Sequence, residues 1–331
     1  MTALILLGQV GLPLLLLGWL AFWPAGSALG WLVQAAGVAA ILFALARIAQ
    51  WAVPVWWLPW AYGAVWLGLV LAGLAVFSGR PWLPAGTGGW ALLALSSGLL
   101  ALGGWFGGQA LAGRAVPPVA VVDIANPFGP GHFLVGHGGS TPLVNGHMRT
   151  LDEAVARFRP WRGQSHAVDF FGLGPFGLRA RGWRPADPAA YAISGAGLHA
   201  PCDGTVVAAV GDRPDFEVPQ EDPVNRLVNH VILDCDAAWI VLAHMRQGRV
   251  TVAPGERVVT GARLGDVGNS GASTEPHLHI HAQRPGTVAA PISGDPLGLR
   301  IDGRFLVRGD RLRGRDRSQH GPFRANPRGS A

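Results

Sequence analysis

The sequence predicts two structural classes in one chain: a bundle of about four transmembrane α-helices first, then an all-β domain. Three observations predict this. The first is the charge map. All 26 basic residues are Arg, yet only Arg47 and Arg80 precede Arg114, and no acid precedes Asp123. The second is that 11 of the 14 Trp fall in residues 1–113, among Leu, Ala, Gly and Val. The third is that the later sequence breaks into short apolar runs bounded by turn residues, the pattern of strands.

A helix crossing a bilayer needs roughly 20 apolar residues. Four runs meet that length, at about Ala3–Trp23, Ala28–Ile48, Trp57–Phe77 and Trp90–Ala110. The breaks are Pro24-Ala-Gly-Ser, the Arg47 to Pro54 region and Gly79-Arg-Pro-Trp-Leu-Pro, each with helix-ending Pro or Gly. Trp23, Trp31, Trp51, Trp56, Trp57, Trp82 and Trp90 cluster near the run ends, as in interfacial aromatic belts. The first run lacks a basic leader and a small-residue cleavage site, so it is read as a retained helix. The four runs contain no Asp, Glu, Lys or His, so they offer no proton relay and read as an anchor in the lipid bilayer. Arg47, Arg80 and Arg114 are too few to set orientation.

The organisation expected is therefore an anchor over 1–113, a Gly-, Pro- and His-rich linker and possible lid over 114–160, a β domain over 161–312 and a flexible Arg-rich tail over 313–331. Strands are expected at Gly204–Val210, Asn229–Leu233, Trp239–Ala243, Ala262–Val267 and Leu278–Gln283, with a short helix at Arg149–Phe158. Residues 301–331 hold eight Arg against three Asp, most of the formal net charge of +6. The basic balance thus belongs to the tail, and no nucleic-acid partner is expected. Gly136-His-Gly-Gly-Ser-Thr lacks the Gly-Lys-Ser/Thr ending of a phosphate loop and reads as a plain loop.

The chemistry-bearing pattern is Pro276-His-Leu-His-Ile-His281. In a strand, residues i and i+2 share a face, so His277 and His279 project together and Leu278 turns away. Upstream stand Gln164-Ser-His-Ala-Val-Asp169 and Leu242-Ala-His244-Met. A catalytic zinc site takes about three N, O or S ligands and keeps one position open. Asp169, His279 and one more His meet that count. Cys202 precedes one expected strand and Cys235 ends another. A disulfide is possible if those strands are neighbours, and two reduced thiols are the alternative.

Asp169, Ala200-Pro-Cys-Asp-Gly-Thr-Val-Val, Leu242-Ala-His-Met, Val252-Ala-Pro-Gly-Glu-Arg-Val-Val-Thr-Gly-Ala-Arg-Leu-Gly, Gly268-Asn-Ser-Gly and Pro276-His-Leu-His together resemble the lysostaphin/LytM-type zinc metallopeptidases, over roughly residues 160–285. The resemblance implies an antiparallel sheet or sandwich with a groove. It implies a zinc cofactor, with Asp169 and His279 as ligands and His244 and His277 as the catalytic pair. It also implies a membrane-anchored endopeptidase hydrolysing peptide bonds in peptidoglycan, on the extracytoplasmic side of a bacterial inner membrane. The alternative is an inactive relative that binds or regulates a cell-wall enzyme partner.

The family places its first ligand His four residues before the Asp, where this chain has Ser165. His166, at offset three, would face away in a regular strand and ligates only if the backbone bulges. His147 is the preferred substitute, with His132 and His137 behind it, and a domain without zinc remains open. His199 and His230 are expected to pack, and His281 to lie past the site. Pro254-Gly-Glu-Arg-Val-Val-Thr-Gly also resembles a lipoyl or biotinyl carrier hairpin, a reading excluded because the chain has no acceptor Lys.

Overall fold

A computed structural model describes residues 2–75, 79–222, 224–287 and 290–315. The chain divides at Gly113 and Arg114 into two compact units.

The first unit holds four helices long and apolar enough to cross a membrane: α1 (Leu4–Phe22), α2 (Ala28–Ile48), α3 (Leu58–Ala75) and α4 (Gly86–Ala112). The third apolar run reaches Phe77 in the sequence, but residues 76–78 lie outside the described residues. Few polar groups are present, and those that are buried bond to backbone. Gln34, fully buried, accepts from Ala25 N–H and donates to the Trp23 carbonyl. Gln9 donates to the Gln50 and Val53 carbonyls, and Tyr62 donates to the Gln9 carbonyl. Each of these buried polar side chains thus keeps a hydrogen-bond partner within the unit. Helices α2 and α4 approach closely at small residues: a Cβ on Gly103 would lie 2.5 Å from the Ala40 backbone.

The second unit is a sheet domain. Its strands are β1 (Val121–Ile124), β2 (His132–His137), β3 (Val168–Gly172), β4 (Gly197–His199), β5 (Gly204–Val210), β6 (His230–Cys235), β7 (Ala238–Ala243), β8 (Arg257–Val258), β9 (Arg263–Asp266), β10 (Leu278–Gln283), β11 (Pro296–Ile301), β12 (Arg304–Phe305) and β13 (Arg311–Arg313). The main sheet runs β13-β2-β3-β10-β7-β6-β5-β8, with β11 beside β10, and β1 and β12 beside β11. Strands β4 and β9 pair separately. Pairing is antiparallel except between β1 and β11.

The core lies on one face of this sheet. Leu278, Ile280 and Ala282 of β10 join Ile240 and Leu242 of β7, Val231 and Leu233 of β6, and Val168 and Phe170 of β3. Burying one such large apolar side chain stabilises by about 1.5–3 kcal/mol. A slip of β10 by one residue would drive His279 and His281 into that core, so apolar burial sets the register.

Residues 114–160, read as a linker and possible lid, hold β1, β2 and a 3-10 turn over Gly146–Leu151. Two expectations need correction. The short helix expected at Arg149–Phe158 is replaced by that turn and a 3-10 segment over Ala156–His166. Pro160 lies inside the latter and cannot donate the backbone bond of an α-helix. The strand leading to Asp169 begins only at Val168, so His166 is not a strand residue. Of the tail expected over 313–331, Arg313 closes β13, and 316–331 lie outside the described residues.

Strands β5 and β6 are neighbours, and a disulfide joins Cys202 to Cys235 with Cα atoms 6.1 Å apart. Replacing both cysteines by Ser should lower the stability of this unit by about 2–4 kcal/mol, because the open chain gains loop entropy. Urea unfolding of the double variant checks this, with thiol titration of the parent chain as control.

Candidate metal centre

The register that buries the core also builds a row across the opposite face. Directly paired residues in antiparallel strands point the same way. Asp169 of β3 pairs with His279 of β10, His279 with Ala243 of β7, and Ala243 with His230 of β6. On the outer side, His137 of β2 pairs with Asp169 across a bulge.

His147 reaches this row from the 3-10 turn. Asn145, fully buried, accepts from His147 N–H and donates to the Gly139 and Ala167 carbonyls, tying the turn to the start of β3. Thr150 Oγ1 lies 2.8 Å from both the His147 carbonyl and Ser165 Oγ. Ser165 therefore braces the turn that carries His147. His147 Nε2 stands 2.8 Å from Asp169 Oδ2, and His279 Nδ1 stands 3.0 Å from Asp169 Oδ1. Candidate ligand atoms of His147, Asp169 and His279 lie within 4.8 Å of one another. His166 is buried nearby but stays out of this group, and its Nδ1 has no hydrogen-bond partner among the described residues. His132 opens β2 on the exposed side.

A hydrogen-bond relay decides how His279 presents itself. Gln283 Nε2 donates to the Pro291 carbonyl, which turns Gln283 Oε1 toward His281. That oxygen can only accept, so His281 Nε2 carries a proton. His281 is fully buried, and burial followed by repulsion from His279 holds its pKa well below the ordinary value. It is therefore neutral, and its Nδ1 accepts from His279 Nε2–H at 3.0 Å. This assignment follows from the amide orientation. It leaves His279 Nδ1 with a lone pair facing a carboxylate oxygen at 3.0 Å. Two acceptors at that distance repel unless a cation lies between them. Nitrogen and oxygen atoms bound tetrahedrally at about 2.0–2.1 Å stand roughly 3.3 Å apart, so this donor set suits a metal such as zinc.

Burial pushes the Asp169 carboxyl up, but the charge and hydrogen bond of His147, with the charge of His277, hold it well below the usual carboxylate range. Burial lowers His279 to about 4 against the pull of Asp169. Burial also lowers His137 to about 3; its Nδ1 accepts from Gly146 N–H and the Arg308 guanidinium.

The other two histidines face the same space. His244 Nδ1 donates to the Ser270 carbonyl at 2.8 Å, and His277 Nδ1 donates to the Glu275 carbonyl at 2.9 Å. Their rings are 4.6 Å apart, with His277 Nε2 3.9 Å from Asp169 Oδ1. His244 has the left-handed φ of +64°, costly for a residue with a Cβ. Buried Asn229 holds the next residue in place, accepting from Met245 N–H and donating to the Met245 carbonyl. Burial, then the charges of His277 and His279, keep His244 well below its ordinary pKa.

Sequence reasoning put His281 past the site and did not weigh Gln283, Asn145 or Arg308. The alternation His279, His281, Gln283 along one strand face was the available signal for the relay.

Residues 189–291 match Peptidase family M23. The match includes His244, His277 and His279 and stops short of His147 and Asp169. Among solved structures, the chain is similar to lysostaphin in solution, at 20% identity over 37% of each chain and a TM-score of 0.24. It is also similar to the catalytic domain of lysostaphin from Staphylococcus simulans, at 20% identity over 38% of this chain and 71% of that one, with a TM-score of 0.25. A third is a putative peptidase M23 from Pseudomonas aeruginosa, at 19% identity over 45% of this chain and 59% of that one, with a TM-score of 0.23. The chain thus spans 37% of the length of the first of these. No curated protein matches the chain.

Asn145→Ala should destabilise the second unit by about 1–3 kcal/mol, since it leaves two buried carbonyls unpaired. Chemical unfolding monitored by circular dichroism checks this.

Proposed function

We propose that the chain is a membrane-anchored zinc metalloendopeptidase that hydrolyses peptide bonds in peptidoglycan. The four apolar helices are its anchor in a bacterial inner membrane, and the β unit works on the extracytoplasmic side. The observation that carries the reading is the convergence of His147, Asp169 and His279, with His279 Nδ1 3.0 Å from Asp169 Oδ1 and His147 Nε2 2.8 Å from the other oxygen. The match of residues 189–291 to Peptidase family M23 supports a peptidase. The Cys202–Cys235 disulfide supports an oxidising compartment.

In this reading His147, Asp169 and His279 are the ligands, and Ser165 stands at the sequence position of the family's usual ligand. A zinc ion held by these three residues would supply Lewis acidity toward a carbonyl oxygen and would acidify water to a pKa of about 7. The protein's own groups do the rest. His244 and His277 each have Nδ1–H fixed on a backbone carbonyl, so each turns an Nε2 lone pair to the reacting groups. One Nε2 would take a proton from the attacking water; the imidazolium so formed would face the oxyanion and then hand its proton to the departing amine, while the other Nε2 would accept from that water and orient it. His281 and Gln283 hold the His279 ring and its tautomer.

Purified from zinc-replete cells, the chain should carry near one zinc by elemental analysis. His147→Ala, Asp169→Ala and His279→Ala should lose it, and His166→Ala should keep it. His277→Ala and His244→Ala should keep zinc and lose about a hundredfold or more in cleavage of isolated peptidoglycan. His281→Phe should weaken zinc affinity by about 10–100-fold in chelator competition. A chain that stays zinc-free under these conditions would overturn the enzyme and favour a binding or regulatory module.

A further inference from the structure

The turn that delivers His277 is thinly held by its own backbone. Among the described residues, no backbone–backbone hydrogen bond involves residues 274–276. Pro276 has no N–H to give, and Thr274 is exposed. Strand β10 begins only at Leu278. Two side-chain contacts fix the turn instead. Ser273 Oγ lies 2.8 Å from Asn269 Oδ1, 2.9 Å from the Glu275 carbonyl and 3.1 Å from His277 Nδ1. The Glu275 carboxylate receives the Arg179 guanidinium, with Nη2 3.1 Å from Oε2.

Arg179 is positioned independently of Glu275. It lies in the segment between β3 and β4, which folds on itself. Gly174 N–H donates to the Leu178 carbonyl, Arg181 N–H to the Ala190 carbonyl and Ala192 N–H to the Arg179 carbonyl. The guanidinium donates to the Trp183 carbonyl at 3.3 and 3.2 Å and stands over the Tyr191 ring, 5.4 Å from its centroid. Tyr191 in turn donates its hydroxyl to the Pro185 carbonyl. Both partners of the pair are withdrawn from water, with 8% of the Arg179 and 15% of the Glu275 side chain exposed. Burial pushes the Glu275 carboxyl up, and Arg179, then His277 and Arg184, pull against it. A carboxylate so placed stays with its guanidinium, because parting leaves a buried charge unpaired.

Glu275 has a second connection. Its backbone carbonyl accepts from His277 Nδ1–H at 2.9 Å. That bond sets which nitrogen of His277 carries the proton, and so which one keeps a lone pair. Nε2 is the nitrogen near Asp169, 3.9 Å from Oδ1. We infer that Arg179 is a positioning residue for His277: it holds Glu275, Glu275 presents its carbonyl to Nδ1–H, and the Nε2 lone pair stays turned on the metal centre. The inference rests on the proposed peptidase for the use of that lone pair, since only a ring with Nε2 unprotonated can take a proton from water. It gives the segment between β3 and β4 a part in the reaction, exerted through His277.

The test reads the His277 tautomer by heteronuclear NMR of the full-length, histidine-labelled chain in detergent, well above the ordinary imidazole pKa. His277→Gln identifies the signals. The parent should show His277 protonated at Nδ1. Arg179→Met alone leaves a buried carboxylate unpaired and risks unfolding, so it is combined with Glu275→Leu, which removes both charges at once. The double variant should stay folded by circular dichroism and keep its zinc content. It should lose Nδ1–H as the dominant tautomer and cleave soluble peptidoglycan fragments with kcat about 10–100-fold lower and KM unchanged. Glu275→Gln keeps an acceptor for the guanidinium and should keep the parent tautomer and kcat. A brace that only stabilises the fold would lower the melting temperature of the double variant and leave its tautomer and kcat as in the parent; that result would overturn the inference. So would a parent chain with His277 protonated at Nε2, or Glu275→Gln behaving as the double variant. Zinc content and cleavage by the parent report separately on the peptidase. A zinc-free chain whose Nδ1–H tautomer is lost in the double variant would sink the peptidase and leave Arg179 in its positioning role.

Discussion

A carboxylate removed from water must meet positive charge or hydrogen-bond donors, and Asp169 is buried at the centre of a sheet with imidazoles around it. The rest of the site follows from that constraint. One oxygen faces His147 and the other faces His279. The His279 ring is fixed from behind by His281 and Gln283, so its orientation is set about 13 Å along the strand, at a backbone carbonyl of the next loop. Buried networks of this kind are rigid where their groups are satisfied. The contact left without a donor, His279 on Asp169, lies within the group of side chains that could hold a metal.

The two faces of the main sheet share one cause. Leu278, Ile280 and Ala282 hold the register by burial, and the intervening His279, His281 and Gln283 inherit the opposite face. The same pairing places Ala243 and His230 beside them on that face. Apolar packing therefore positions polar chemistry without any contact to it. The left-handed backbone at His244 is the one strained position in the group. It is maintained by buried Asn229 and Ser270, whose bonds to Met245 and its surroundings oppose relaxation.

Much of this was legible in one dimension. The apolar lengths marked four helices because a bilayer demands about 20 such residues, and a near-absence of charge is hard to explain otherwise. The period-two pattern at His277, Leu278 and His279 announced a shared face. Asp169 and His244 were named from local context, and a Cys202–Cys235 disulfide was one of two readings left open. Less was legible around residues 114–166. A 3-10 turn, two short strands and a Pro-containing segment carry no strong periodicity, so their Gly, Pro and His content read as linker. His166 could be judged only on the premise of a regular strand, and the strand starts after it.

Sequence alone determined the division of the chain and the identity of most of the groups that meet. Both depend on local quantities: hydrophobic length, charge, and residue spacing within one strand. Which histidine joins Asp169 and His279 is a different kind of question. His147 is 22 positions from Asp169, and it arrives because Asn145, Thr150 and Ser165 fold the intervening turn back on β3. The relay through Gln283 and the Arg179–Glu275 pair likewise join segments that sequence spacing does not relate. Only the tertiary structure decides such meetings, because they depend on the closure of loops and on strand register. No residue carries that information by itself.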